Sequence, residues 1–338
     1  MSKRFTRREW IGVLGAGAAL PHVQTRAVQA ATATLAQAVT RPKALRGAFM
    51  ILNTPFTESK AVDWEDLARE LQFVDRCGAQ GAVWPQGSSS VTSLTKDERM
   101  QGMEVLAKAA QGRTIALVLG VQGKDTAEML EYAHRAEALA PDAMIAMPPT
   151  TAKSQDDYRE YFRALGKATS RPVIVQTSGG TRDLVPSTEL IVDLAREMPN
   201  FGYVKEESEP LIERMKTELR QRPPMKAVFG ANLGTYWLTQ MNLGADGIIT
   251  GNGMYADLMA RIWDFHVRSQ ADQLRDAYSR FLLMRNLNDQ IPGTDLYVMK
   301  KRGVFKTTVT RGRTPYSFSP EEVTEIEFRF AALKAYLM

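Results

Sequence analysis

Eight short apolar or β-branched runs, each followed by a longer stretch of helical period, recur along residues 47–269, and this rhythm limits the fold more than any single motif does. The strand-like runs lie at Gly47–Asn53, Gly81–Pro85, Thr114–Gly120, Asp142–Met147, Pro172–Thr177, Gly202–Glu206, Lys226–Gly230 and Gly247–Gly251. The helical stretches are Trp64–Cys77, Lys96–Ala110, Thr126–Leu139, Gln155–Ala168, Ser187–Glu197, Pro210–Gln221, Leu233–Leu243 and Tyr255–Ser269. Eight strand-then-helix units in about 225 residues predict an α/β fold of the (β/α)8 TIM barrel type. A doubly wound open sheet competes, but it calls for a G-x-G-x-x-G turn directly after an early strand. Gly251-Asn252-Gly253 and Gly120-Val121-Gln122-Gly123 only graze that pattern, and neither has an acidic residue downstream to read a ribose. The barrel is therefore expected over residues 44–269. A helical extension follows over 270–338, with helices at Ala271–Asn288 and Pro320–Leu337 flanking a Gly/Lys/Arg-rich stretch around Tyr297–Arg313, suited to a subunit contact or a lid.

The first thirty residues stand apart. A basic start, Thr6-Arg7-Arg8-Glu9-Trp10-Ile11, an apolar run Ile11–Leu20 and the small-residue stretch Ala27-Val28-Gln29-Ala30 have the layout of an export signal. The paired arginines point to twin-arginine export, hence a periplasmic or otherwise exported protein that meets the export machinery through this leader. The apolar run is about half of what a bilayer span needs. An Ala/Thr/Gln-rich linker over 31–43 joins leader to barrel. The formal charge of +5 is mostly the leader's, which holds five Lys/Arg against one Glu and leaves 38 basic against 37 acidic residues beyond it. Nucleic acid is therefore not an expected partner. The lone Cys77 excludes an internal disulfide, and three scattered histidines, His22, His134 and His266, give neither a zinc site nor a histidine triad.

In a barrel of this kind chemistry collects at the C-terminal strand ends. These read Asn53-Thr54-Pro55-Phe56, Gln86-Gly87-Ser88-Ser89-Ser90, Pro148-Pro149-Thr150, Gln176-Thr177-Ser178-Gly179, Lys205, Gly230 and Thr250-Gly251. One amine, Lys205, faces small hydroxyls, amides and glycines. A lysine held in an apolar barrel mouth is a nucleophile toward carbonyls, whereas most strand-terminal lysines are solvated charges. Gly87 lets the backbone turn sharply, so that Ser88 and Ser89 can cup a carboxylate. An amine beside a carboxylate cradle is what a 2-keto acid requires. No carboxylate pair suits glycoside hydrolysis and no acidic cluster at these ends suits a divalent metal.

With these pieces in order, the chain resembles the superfamily of dihydrodipicolinate synthase and N-acetylneuraminate lyase, the class I pyruvate-type aldolases. Asn53-Thr54-Pro55-Phe56 matches the T-P-F segment, Asp63-Trp64 the start of the first helix, Gly87-Ser88-Ser89 the G-T-T loop, and Leu94-Thr95-Lys96-Asp97-Glu98-Arg99 the L-x-x-x-E-R that follows it. Gly120 to Glu128 is similar to the G-x-x-x-x-x-T-x-E segment, Pro148-Pro149 to the P-P-Y or P-Y-Y motif, and Val204-Lys205-Glu206 to the I-K-E that carries the Schiff-base lysine. Gly230 and Gly244-Ala245-Asp246-Gly247 complete the set, which spans about Gly47 to Lys301.

The resemblance implies a covalent imine on Lys205 in place of any cofactor and a small 2-keto acid or sugar-acid substrate. Ser88, Ser89, Gly87, Thr54, Gln176, Gly230 and Thr250 are the implied binding residues, and a homo-oligomer, dimer or tetramer, is the implied assembly. Three departures stand out. Thr150 occupies the place of the catalytic tyrosine, the G-T-T-G-E loop becomes Gly87-Ser88-Ser89-Ser90-Val91, and Y-N-x-P becomes Gln176-Thr177-Ser178-Gly179. A threonine hydroxyl cannot relay a proton as a phenol does. Proton transfer must then come from elsewhere, such as a water held by Thr150 and Gln176, or another tyrosine. Tyr203 shares the strand parity of Lys205 one layer deeper, where core packing is its main reading. The expected function is a Schiff-base lyase of aldolase, dehydratase or synthase type. The alternatives are a non-catalytic relative that binds keto or sugar acids and, third, a true 4-hydroxy-tetrahydrodipicolinate synthase. Tyr158, Tyr161 and Phe162 read as packing, and Trp84 as a residue near the mouth, where an aromatic wall could meet substrate.

Overall fold

The repeating units build a closed ring of parallel strands in which each strand's neighbours are its neighbours in sequence. The computed structural model describes residues 43–312 and 316–338; the leader and nearly all of the expected linker lie outside them. The strands are β1 (Gly47–Ile51), β2 (Gly81–Trp84), β3 (Ala116–Gly120), β4 (Ala143–Ala146), β5 (Val173–Gln176), β6 (Tyr203–Lys205), β7 (Ala227–Gly230) and β8 (Gly247–Thr250). β8 closes onto β1 with Gly47 opposite Gly247 and Met50 opposite Thr250. A Cβ on Gly247 would stand 2.1 Å from the Gly47 carbonyl oxygen, so the seam shuts only with glycine there.

Alternation along each strand divides the core in two. Phe49, Ile51, Val118, Ile145, Ile174, Phe229 and Ile249 fill the barrel interior, with the Phe49 and Phe229 rings 5.3 Å apart in an edge contact. Their sequence neighbours, such as Met50, Leu117, Val175, Val204 and Ile248, point outward under the helices. Those helices are α1 (Trp64–Arg76), α2 (Lys96–Ala110), α3 (Thr126–Leu139), α4 (Gln155–Ala168), α5 (Thr188–Glu197), α6 (Leu211–Arg220), α7 (Trp237–Asn242) and α8 (Ala256–Val267). The first five begin alike: Asp63, Thr95, Asp125, Ser154 and Ser187 each accept a hydrogen bond from the amide three residues on. The helix expected from Leu233 is cut short. Leu233 and Gly234 take left-handed conformations, φ 52° and 84°, and regular helix starts only at Trp237.

The extension consists of α9 (Ala271–Gln290), α10 (Thr294–Lys301) and α11 (Pro320–Ala331), the last ending six residues before the expected limit at Leu337. Between α10 and α11 the chain runs back as a strap over the start of the barrel. The Lys306 amide donates to Asp66 (2.7 Å), its amine meets Asp63 (3.0 Å) and Glu65 (2.7 Å), and Arg311 forks onto Glu98 at 2.7 and 2.8 Å. Arg302, whose side chain is largely covered, grips Asp257 through two bonds of 3.0 and 2.6 Å. Among the described residues no helix is long and apolar enough to cross a membrane.

Candidate active site

Lys205 ends β6 with its side chain on the interior face, two residues above Tyr203, and only 5% of the residue is exposed. Beside it lies apolar surface, since its register partner on β7 is Phe229 of the interior core. A lone amine there would be heavily penalised, and the chain supplies one counter-charge: Oε2 of Glu207 is 2.9 Å from Nζ. The other oxygen, Oε1, accepts from Nε2 of Gln176 at 2.9 Å and from the Ser178 hydroxyl. Gln176 is the register partner of Lys205 on β5, and its own Oε1 is buried with no partner.

The loop carrying Glu207 is pinned from behind. Thr177 Oγ1 accepts from the Glu207 amide (3.1 Å) and donates to the Glu206 carboxylate (2.7 Å), which also accepts from the Ser208 amide (2.8 Å). Glu206, fully buried, is paired with Arg214 of α6 at 3.0 Å. Consecutive carboxylates thus face opposite ways, Glu206 out to a cation on a helix and Glu207 in to the amine. Deeper on the outward side, burial first and then the negative charge of Glu206 push the Glu218 carboxyl well above the ordinary range. Glu70 on α1, accepting from the Asn53 amide at 3.1 Å, is likewise raised well above it by burial.

The other residues named from the sequence are distributed unevenly. Ser88 lies against Gly251 after β8, and Gly87 is exposed at the start of the short turn Gly87–Ser89. The Ser89 hydroxyl donates to the Leu52 carbonyl (2.6 Å) and accepts from the Gln86 amide (3.1 Å), so its single proton is committed to the fold and not to a ligand. Thr54 is committed too, donating to the Ser89 carbonyl at 2.6 Å and accepting from the Trp84 indole at 3.0 Å. Thr250 shares the outward parity of Ile248, and its hydroxyl accepts from Asn252 at 2.9 Å. Gly230 also faces outward, where a Cβ would meet Gln240 at 2.0 Å. Thr150 is exposed, and its carbonyl accepts from Thr181 at 3.0 Å. Trp84 is fully buried between barrel and α2, against Gly102, and does not wall the mouth. Tyr158, Tyr161 and Phe162 are fully buried packing residues, and Tyr203 packs on the interior core with its phenol pushed upward by burial.

Sequence reasoning passed over Glu207. The signal was alternation: positions 203, 205 and 207 share one face if the extended backbone continues past the strand end, but an acidic pair at a strand end reads as solvated.

A cleft of about 330 Å³ flanks the mouth over β2 to β5, lined by Arg99, Gln122, Tyr132, Met147, Thr150 and Gly179 among others. Arg99 stacks on the Tyr132 ring at 3.6 Å and donates to the Gln122 carbonyl at 2.8 Å. Away from the strand ends, the carboxylates of Asp63, Glu65 and Asp66 converge closely enough to hold a cation. The Lys306 amine already sits among all three, and Arg69 pairs with Asp66, so the chain's own cations occupy the group.

Comparison with known proteins bears on this geometry. The model of the dihydrodipicolinate synthetase family matches residues 44–311. A 4-hydroxy-tetrahydrodipicolinate synthase from Chlorobium phaeobacteroides is 29% identical over 208 residues, which is 61% of this chain and 69% of the relative. One from Chlorobium chlorochromatii is 25% identical over 296 residues, 86% of this chain and 98% of the relative. Among solved structures, the dihydrodipicolinate synthase of Aquifex aeolicus superposes with a TM-score of 0.76 at 20% identity, covering 87% of this chain and 99% of its own. The chloride-inhibited enzyme of Acinetobacter baumannii, complexed with pyruvate, gives 0.75 at 20% identity, with 86% and 99% covered. At these identities the solved structures speak for the fold.

Proposed function

This chain belongs to the dihydrodipicolinate synthetase family, and from that premise we propose that it is a Schiff-base-forming lyase that acts on pyruvate or another 2-keto acid or sugar acid through Lys205. The observation that carries the reading is the Lys205 amine, 5% exposed, at the C-terminal end of a barrel strand and aimed inward. The Lys205 ammonium gives up one proton and its nitrogen adds to the 2-keto carbon, that proton and a second one from nitrogen pass to the oxygen, and water leaves a protonated imine. The protonated imine then draws electrons from the neighbouring carbon, so that a carbon–carbon or carbon–oxygen bond next to it can form or break. The substrate carboxylate is assigned to the amides of Gly87 and Ser88 and to the Ser88 hydroxyl, because the Thr54 and Ser89 hydroxyls are committed elsewhere. Membership of the family supports the choice of a small keto acid.

The direct test is to incubate the protein with pyruvate and a panel of 2-keto acids, reduce with borohydride, and locate the adduct by mass spectrometry. An adduct on Lys205 that disappears in Lys205→Ala is the expected result. No adduct with any keto acid, together with ligand binding unchanged in Lys205→Ala, overturns the lyase reading. That outcome leaves binding without turnover, a reading favoured by the exposed Thr150 at the place where the resemblance implies a tyrosine. Export through the leader and assembly into a homo-oligomer belong to the same proposal. Leu283 and Phe328, exposed on α9 and α11, offer apolar surface for a second copy. Cell fractionation of the full chain and light scattering check these two points, and a cytoplasmic monomer contradicts both.

A further inference from the structure

We propose that Glu207 is the catalytic acid and base of this site, taking the protons that a tyrosine phenol would otherwise relay; the inference rests on the Schiff-base reading of Lys205. Three observations carry it. First, Oε2 of Glu207 is 2.9 Å from Nζ, and both groups are largely withdrawn from water, with side-chain exposures of 16% and 6%. Second, the carboxylate is oriented rather than merely near. Its other oxygen is held by Gln176 Nε2 at 2.9 Å and by the Ser178 hydroxyl, and its backbone amide by Thr177 at 3.1 Å. Third, Oε1 of Gln176 is buried beside this cluster as an acceptor with no partner, a place for the hydroxyl of an intermediate.

Bond counting does the rest. In an adduct on Lys205, the oxygen that must leave as water and the carbon that must lose a proton are each two bonds from Nζ. A group in contact with Nζ therefore reaches both with little movement, which is the geometric requirement on a general acid and base. The sequence of steps starts from the ion pair of a Lys205 ammonium and a Glu207 carboxylate. Glu207 takes one proton from the ammonium, and the freed lone pair attacks the carbonyl carbon while the C=O π pair moves to oxygen. The carboxyl returns its proton to that oxygen, takes a second from nitrogen, and delivers it to the hydroxyl as water departs. The result is a protonated imine and an ionised Glu207. The carboxylate then removes a proton from the adjacent carbon, the C–H pair forms the C=C bond, and the C=N π pair returns to nitrogen as the enamine. The protonated Glu207 returns that proton to carbon, or passes it to the new alkoxide when an aldehyde acceptor is attacked.

The experiment uses pyruvate in D2O and reads two signals: exchange of the methyl protons by NMR and the borohydride-trapped adduct on Lys205. Wild type is expected to show both. Glu207→Gln, which keeps the shape and loses the proton carrier, is expected to slow methyl exchange about 100-fold or more. Glu207→Ala is expected to lose exchange and to regain part of it with added acetate, a rescue that a purely structural role does not give. Exchange in folded Glu207→Gln within about threefold of wild type, or no acetate rescue in folded Glu207→Ala, overturns the proposal while an intact adduct in wild type leaves the Schiff-base reading standing. No adduct and no exchange in wild type with pyruvate or with any 2-keto acid of the panel bring down both together.

Discussion

Hydroxyls near the site divide by where their protons go. Ser89 spends its proton on the Leu52 carbonyl, so Ser89→Ala is expected to remove two buried hydrogen bonds and about 1–3 kcal/mol of stability while leaving keto-acid affinity unchanged. Urea titration and calorimetric binding read the two quantities, and a weaker ligand with unchanged stability contradicts this. Thr150→Ala is expected to change turnover by less than about threefold, because the residue is exposed and not in contact with the amine. A loss of two orders of magnitude would restore Thr150 to the machinery. Lys205 was legible because it ends the short run Phe201–Val204, the sixth of eight strand-like runs, at the end of the barrel where chemistry collects. Glu207 was not, because its role depends on Gln176 and Ser178, which the chain supplies from a different strand some thirty residues earlier.

At the level of elements, the strands could be read because nearly every residue in them is buried on one face or the other, leaving short apolar runs cut by glycine and proline. The starts of the first five helices were equally visible through their Asp, Ser and Thr caps. Leu233 was misread because its left-handed backbone follows from the turn after β7, which no hydrophobic period records. Thr250 and Gly230 were assigned to the mouth by position at strand ends, but parity turns both outward. The β6–α6 contact makes a prediction at this scale. Arg214→Leu leaves Glu206 buried without its cation, and the expected loss is about 3–5 kcal/mol in chemical denaturation. The same change loosens the loop that presents Glu207, so keto-acid trapping is expected to fall with it. Stability within about 1 kcal/mol of wild type would remove Glu206–Arg214 as the clamp on that loop.

For the whole molecule, two buried carboxyls set a pH dependence. Glu70 is raised well above its ordinary range by burial, and Glu218 by burial and then by Glu206. A carboxyl raised in the folded state contributes stability that is fully present below its unfolded value and is lost as pH rises through the folded one. Above the ordinary glutamate range, about 4.3, the melting temperature is therefore expected to decline as pH rises. Glu70→Gln removes that titration, so the variant is expected to gain on wild type as pH increases. Thermal melts across the neutral and alkaline range measure it, and parallel curves contradict it.

The seam between β8 and β1 has a consequence in time. The strand made last is the one that must pair with the strand made first, and the strap that fastens Lys306 and Arg311 to α1 and α2 is made later still. A growing chain on the ribosome therefore carries two unpaired parallel edges until some 250 residues have emerged. Completion, not length, is what makes this barrel safe from its neighbours, and any pause before Gly247 prolongs the interval in which it is not.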